Sequence, residues 1–128
     1  MKYENIINEI KLLVEEGYKI QSIVKGETEE PANSFVLDYQ DWYTKSLLVV
    51  KFLASDRYDE FKSYYEINTK RKSISTTTYV IQDYCMGVVL TKEGVSEMKV
   101  AHNINSQLLI LGSLTSRVDS VLSNIELE

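Results

Sequence analysis

Ser34-Phe35-Val36-Leu37-Asp38-Tyr39-Gln40-Asp41-Trp42-Tyr43-Thr44-Lys45-Ser46-Leu47-Leu48-Val49-Val50-Lys51-Phe52-Leu53 decides the fold class. Phe35, Tyr39, Trp42, Tyr43, Ser46, Val49, Val50 and Leu53 recur every three or four residues, the period of a helix with one buried stripe. Leu47 and Leu48 widen the apolar face, so the spacing predicts a central helix over residues 34–53. Asn33 or Ser34 can cap it by accepting a backbone N–H. The same stretch opens a longer one, 38–84, where most of the aromatic residues are interleaved with charge. Each ring brings a large area to bury, and each tyrosine adds a polar tip that needs a partner. Such a cluster specifies a polar-edged core or a binding surface, and no reaction.

Working outward, Ile6, Ile7, Ile10, Leu13, Val14, Ile20 and Val24 mark an amphipathic helix over 3–24. Gly17 interrupts it at a cost of ~1 kcal/mol relative to alanine, so a bend or an end is expected there. The acidic stretch 26–31 then breaks the pattern. Downstream, Tyr58, Phe61, Tyr64 and Tyr65 form the stripe of a third helix, from Ser55 or Asp56 to Ile67 or Asn68. Ser73, Ser75, Thr76, Thr77 and Thr78 compete for backbone bonds and favour turns. A fourth helix is expected from Thr77 or Thr78 to about Leu90; a strand over 76–81 is the alternative, because β-branched residues are dense there. A long final helix over 96–125 carries Met98, Ala101, Asn105, Leu108, Leu109, Gly112, Thr115, Val118, Leu122 and Ile125 in register. Gly112, among Ser113, Thr115 and Ser116, would let a neighbouring helix come close.

The bulk numbers agree with a helical domain. The chain has 128 residues, 44% of them hydrophobic, with one proline and five glycines. That is enough for one core, with few breakers to punctuate many short strands. Net charge is −5, which argues against a protein that coats DNA. The single cysteine, Cys85, excludes an intramolecular disulfide and a cysteine-based zinc site. No apolar run approaches the ~20 residues that span a bilayer, and residues 1–5 contain no secretory core. These features read as a cytoplasmic protein.

The candidate sites are few. Lys70-Arg71-Lys72, followed by hydroxyl side chains, is the best anion-binding candidate, with Tyr79 and Trp42 as rings on which bases could stack. Arg57 or Arg71 paired to Asp83, with Asp38 nearby, would form a polar clasp inside the aromatic cluster. Asp38 and Asp41 share a helix side, and Asp56, Asp59 and Glu60 add carboxylates, but acids near helix starts are favoured by the macrodipole anyway. His102 is the only histidine and lacks a His-x-x-x-His partner. Cys85 sits in an apolar run with no cation beside it to lower its pKa. No Gly-x-Gly-x-x-Gly, P-loop, Cys-x-x-Cys or EF-hand pattern occurs, and no cofactor is implied.

The segments 38–43, Asp56-Arg57 with Glu60-Phe61 and Tyr64, 70–72, Thr78-Tyr79 with Ile81 and Asp83-Tyr84, and Gln107 with Ile110-Leu111, Arg117 and Asp119-Ser120 together carry a resemblance. They resemble the N-terminal helical region of uncharacterised bacterial proteins associated with mobile elements and phage defence, in which a HEPN-like domain follows. The resemblance implies an accessory domain ahead of an effector, with 1–128 as the N-terminal part of a longer protein. It brings no catalytic residue, because Arg57, Arg71 and Arg117 have no histidine shortly after them.

The expectation is an all-α, antiparallel bundle of four to five helices around Ile6, Ile10, Leu13, Trp42, Leu47, Val50, Phe61, Tyr84, Leu108, Leu111 and Val118. Its expected role is non-catalytic: a protein-interaction or regulatory module whose partner is another protein, a second copy or a C-terminal effector domain. The alternative is an RNA or single-stranded DNA binding module built on the 70–72 loop. Dimerisation follows if Leu108, Leu109, Ile110 and Leu111 cannot all be buried in one chain.

Overall fold

The computed structural model describes the backbone of residues 2–29 and 34–127, and the side chains of 4–29, 34–118 and 120. Asn33, the Pro31 end of the acidic connection, and the side chains of Tyr3, Asp119, Leu122 and Ile125 lie outside that set. The described residues form α1 (Lys2–Val24), α2 (Ser34–Leu53), α3 (Tyr58–Ser63), α4 (Ile81–Cys85) and α5 (Val95–Leu127), with a 3-10 turn at Ser55–Arg57. The fold is all-α and bundle-like, as the helical periodicity requires.

Three long helices make the body. Gln21 near the end of α1 donates to the Ala101 carbonyl near the start of α5, while Ile10 and Val14 lie beside Gly112 and Thr115. These two helices are therefore antiparallel. The α1 segment from Glu16 to Ile23 faces Asp38, Asp41 and Lys45, which makes α2 antiparallel to α1 as well. It follows that α2 and α5 run the same way: Tyr39 meets Gln107, and Asp56, just past α2, meets Arg117. The middle of the chain, with α3 and α4, carries it back from the end of α2 to the start of α5.

Gly17 does not bend or end α1, which is continuous through it. A β-carbon there would lie 2.8 Å from Trp42 Cζ2 and closer still to Leu108 Cδ2. The glycine is what lets α1 approach both neighbours. The helix stops instead at Gly26, whose φ of 73° is left-handed. Its N–H bonds the Ile23 carbonyl and that of Glu27 bonds Ser22, closing the free carbonyls of the last turn. Gly112 has no such role: it is exposed, and nothing lies within 4 Å of the place its β-carbon would occupy.

The third and fourth helices are shorter than their periodicity suggests. The backbone N–H groups of Ile81 and Gln82 bond the Tyr64 and Tyr65 carbonyls at 3.2 and 3.0 Å. The start of α4 thus takes carbonyls that a longer α3 would have used itself. Upstream of α4, Thr78 Oγ1 accepts from the Ser75 N–H and donates to the Ser73 carbonyl, holding a turn where helix was expected. Downstream, Gly87 at φ 84° ends α4 well before Leu90.

Ile10, Leu13, Trp42, Val50, Phe61, Leu108, Leu111 and Val118 are buried, and Ile6, Leu47 and Tyr84 are half-buried against them. Tyr39, Phe35, Tyr79, Ile81, Ile104 and Leu114 also belong to the core. Leu48 does not widen the buried face of α2; it points to solvent.

The two glycines separate the effects of packing and propensity. Gly17→Ala should destabilise by about 1–2 kcal/mol, overpacking outweighing the helix-propensity gain. Gly112→Ala should stabilise by roughly 0.5–1 kcal/mol, because only propensity changes. Urea denaturation of both variants measures the pair, and equal signs would contradict the packing described for Gly17.

Candidate functional site

Of the residues that the sequence offered for chemistry, Lys70, Arg71, Lys72, Tyr79 and Asp83 lie on the connection between α3 and α5. Arg71 reaches in from the loop and forms a two-pronged pair with Asp83 of α4. Nη1 donates to Oδ2 and Nη2 to Oδ1, both at 2.7 Å. Nη1 also donates to the Thr78 carbonyl at 3.1 Å. Asp83 Oδ2 accepts a further bond from the Val80 N–H at 2.9 Å. Planar guanidinium and carboxylate groups match in this fork geometry, so the pair is directional as well as charged. Burial alone would push the Asp83 carboxyl up; the bonds from Arg71 and Val80 hold it below its usual value. Arg71 is correspondingly held above its own.

The clasp thus forms through Arg71. Arg57 is instead turned to Glu60, one helical turn on, with Nη2 at 2.9 Å from Oε1 and 3.0 Å from Oε2. That pairing is local and exposed, and it leaves Arg57 in the turn just before α3, away from Asp83. Asp38 is also far from the clasp: it faces a groove between α1 and α2, beside Glu16, Asp41 and Lys45. Lys45 joins Asp41 at 3.1 Å and Glu16 at 3.5 Å there. Asp56 pairs with Arg117, and that bond holds the Asp56 carboxyl below its usual value. Asp59 is exposed on α3.

The basic triplet divides. Lys70 and Lys72 are exposed while Arg71 turns inward to Asp83. The two rings expected beside it are not available for stacking. Trp42 is 1% exposed, and its indole Nε1 donates to the Leu13 carbonyl at 2.7 Å. Tyr79 is also 1% exposed, and its hydroxyl donates to the Val88 carbonyl at 2.6 Å. The structure brings Arg71, Asp83 and Tyr79 into one segment and leaves Trp42, Arg57 and Asp38 outside it.

Cys85 is half-buried, and burial pushes its thiol up to about 11, which keeps it protonated and unreactive at neutral pH. His102 is exposed on α5. Among the described residues no three His, Cys, Asp or Glu side chains are placed to hold a metal ion. Nor is any helix among them long and apolar enough to cross a membrane.

Two buried glutamines escaped the sequence reading. Gln107 accepts from the Tyr39 hydroxyl at 2.9 Å and donates to the Phe61 carbonyl at 3.2 Å, tying α2, α3 and α5 together. Gln21 ties α1 to α5. The available signal was a polar residue at a position that the helical period assigns to the core: Gln107 between Ile104 and Leu111, Gln21 between Ile20 and Val24.

Two of the large apolar side chains that face outward lie together on α2. Leu48 and Phe52, one turn apart, are 65% and 73% exposed. Leu12 of α1 is exposed too, one turn from Glu16, and the Glu16–Lys45 bridge places it along the same rim as Leu48. Of the four consecutive apolar residues 108–111 on α5, Leu108, Ile110 and Leu111 are buried and Leu109 faces out.

A scan of protein-family models, curated proteins and solved structures finds no match to this chain.

The Asp83 carboxylate supplies a test in acid. Its folded-state pKa is lowered, so its contribution is present above the unfolded value of about 3.9 and is lost as pH falls through the folded value. Asp83→Asn should destabilise by roughly 3 kcal/mol at neutral pH, because Arg71 is left without its charge partner. It should also flatten the acid limb of the stability–pH curve below about pH 4. Denaturant midpoints measured across that range give both quantities; an acid limb identical to that of the unmodified chain would exclude the stated role.

Proposed function

We propose that the chain is a non-catalytic protein-interaction module whose contact face is the outer side of α2. One observation carries the reading: Leu48 and Phe52 stand largely exposed on one helix face, while almost every other aromatic ring in the α2–α4 region is buried or half-buried. Side chains four apart on a helix are neighbours, so the two form one patch, and Leu12 extends it across the rim to α1. Single exposed leucines are ordinary; an apolar patch that includes an aromatic ring is what protein contacts use. The polar groups that the sequence offered for chemistry supply further support, because Arg71, Asp83, Tyr79 and Trp42 are engaged in bonds within the fold.

On the resemblance drawn from the sequence, the module would act beside a defence-type effector, as another protein's partner or through a second copy of itself. A nucleic-acid role through Lys70 and Lys72 has less support, since the rings that would stack on bases are internal.

A photoreactive residue at position 52, introduced in cells of the native host, tests the proposal. It should give a discrete protein crosslink that Leu48→Glu abolishes without lowering the melting temperature. Labelling no different from that at Ser116, an exposed polar control on α5, would sink it. Salt-sensitive binding to single-stranded RNA that Lys70→Glu with Lys72→Glu removes would favour the nucleic-acid role instead.

A further inference from the structure

The exposed residues of α2 stand at positions 37, 38, 41, 44, 45, 48, 51 and 52. This spacing repeats every seven residues and runs the length of the helix, as a seam that one helix presents to another does. Charge along it is segregated. The first half carries Asp38 and Asp41 and no base, and the second half carries Lys45 and Lys51 and no acid. A large apolar side chain stands at each end, Leu37 (77% exposed) at one and Phe52 at the other. Two of the charges are satisfied within the chain, because Lys45 bridges Asp41 and Glu16. Asp38 and Lys51 are in no ion pair with any described residue. Lys51 lies only over the Tyr58 ring, 5.9 Å from its centroid.

We propose that the occupant of this face is α2 of a second copy of the chain, laid antiparallel across it. Charge sets the orientation. Two copies side by side and parallel would bring acid against acid and lysine against lysine. With one copy reversed, the seam matches itself. Leu37 meets Phe52 of the second copy, and Asp38 meets Lys51 of the second copy. Asp41, already neutralised by Lys45, lies beside Leu48 of the second copy. The two-fold axis passes between residues 44 and 45, so every contact occurs twice. An apolar pair then closes each end of the seam, and the two unpaired charges find the partners that their own chain does not provide. An unrelated partner helix would need the same reversed order of apolar and charged side chains; the second copy has it necessarily. A polyanion gains nothing here, because two acids stand among the exposed residues with two lysines. The proposal rests on the reading of the outer side of α2 as the contact face and names its partner.

Sedimentation equilibrium of the purified chain, from about 1 μM to about 1 mM, should show a species of twice 14.7 kDa that dissociates as salt is raised. Asp38→Lys and Lys51→Asp should each weaken association about tenfold, because attraction becomes repulsion at both symmetry-related pairs. Both sites are exposed, so each variant should keep its melting temperature. Mixing the two variants should restore association, since each pair formed between them again joins opposite charges; misfolding of either variant would give no such rescue. Leu37→Glu, at the far end of the helix from the Leu48–Phe52 patch, should weaken association by a similar factor. A chain that stays monomeric throughout, a dimer indifferent to both charge exchanges, or folded variants that fail to associate on mixing would overturn the proposal. The position-52 crosslink tells the two readings apart. A crosslink to a different protein, with the purified chain monomeric, removes the second copy and leaves the α2 face standing. No crosslink at all removes the face and the second copy with it.

Discussion

The Trp42 indole is the joint on which α1, α2 and α5 all meet. Its N–H donates to the Leu13 carbonyl, its six-membered ring lies against the backbone of α1 at Gly17, and Leu108 of α5 closes on the same glycine. A rigid ring held at both ends sets the distance between α1 and α2 as well as their relative rotation. One turn earlier on α2, Tyr39 packs against Trp42 with ring centroids 5.7 Å apart and passes its hydroxyl to Gln107. Gln107 then fixes the Phe61 carbonyl. Buried polar groups of this kind are costly when unpaired and directional when paired, so they select one helix arrangement out of several that would bury similar apolar area.

That arrangement sets the task of the chain's middle third. With α2 and α5 running in the same direction, the connection between them must return along the body, and it does so largely without regular structure. Its order comes from bonds between distant backbone groups, such as the Ile81 and Gln82 N–H groups on the α3 end. Arg71 and Asp83 add the one buried ion pair in it, fastened to the Thr78 carbonyl and the Val80 N–H. Such a pair contributes less through net attraction than through the penalty for any arrangement that separates its members.

The long helices were legible because their cause is local. A stripe at three and four residues needs no knowledge of what lies opposite, and Tyr39, Trp42 and Val50 mark α2 by themselves. The ends of α3 and α4 were not legible, since they depend on which distant N–H reaches the Tyr64 carbonyl. The two mid-helix glycines looked alike in sequence; only the neighbouring helices distinguish Gly17, pressed against a ring, from Gly112, facing open space. Arg57 and Arg71 were equal candidates for Asp83 until the path of the loop chose between them. Trp42 and Tyr79 suggested a stacking surface because composition reports rings and not their burial. Gln21 and Gln107 could have been found, as polar interruptions of otherwise apolar stripes.

The direction of α5 also bears on how the native state is reached. Gln21 finds Ala101 across 80 residues and Tyr39 finds Gln107 across 68, whereas α1 and α2 can meet as soon as the short link between them turns. An all-helical chain usually assembles from near neighbours and does so quickly. This one must wait for its last helix before the joint at Trp42 is complete, so loop-closure entropy governs its folding rate more than helix formation does.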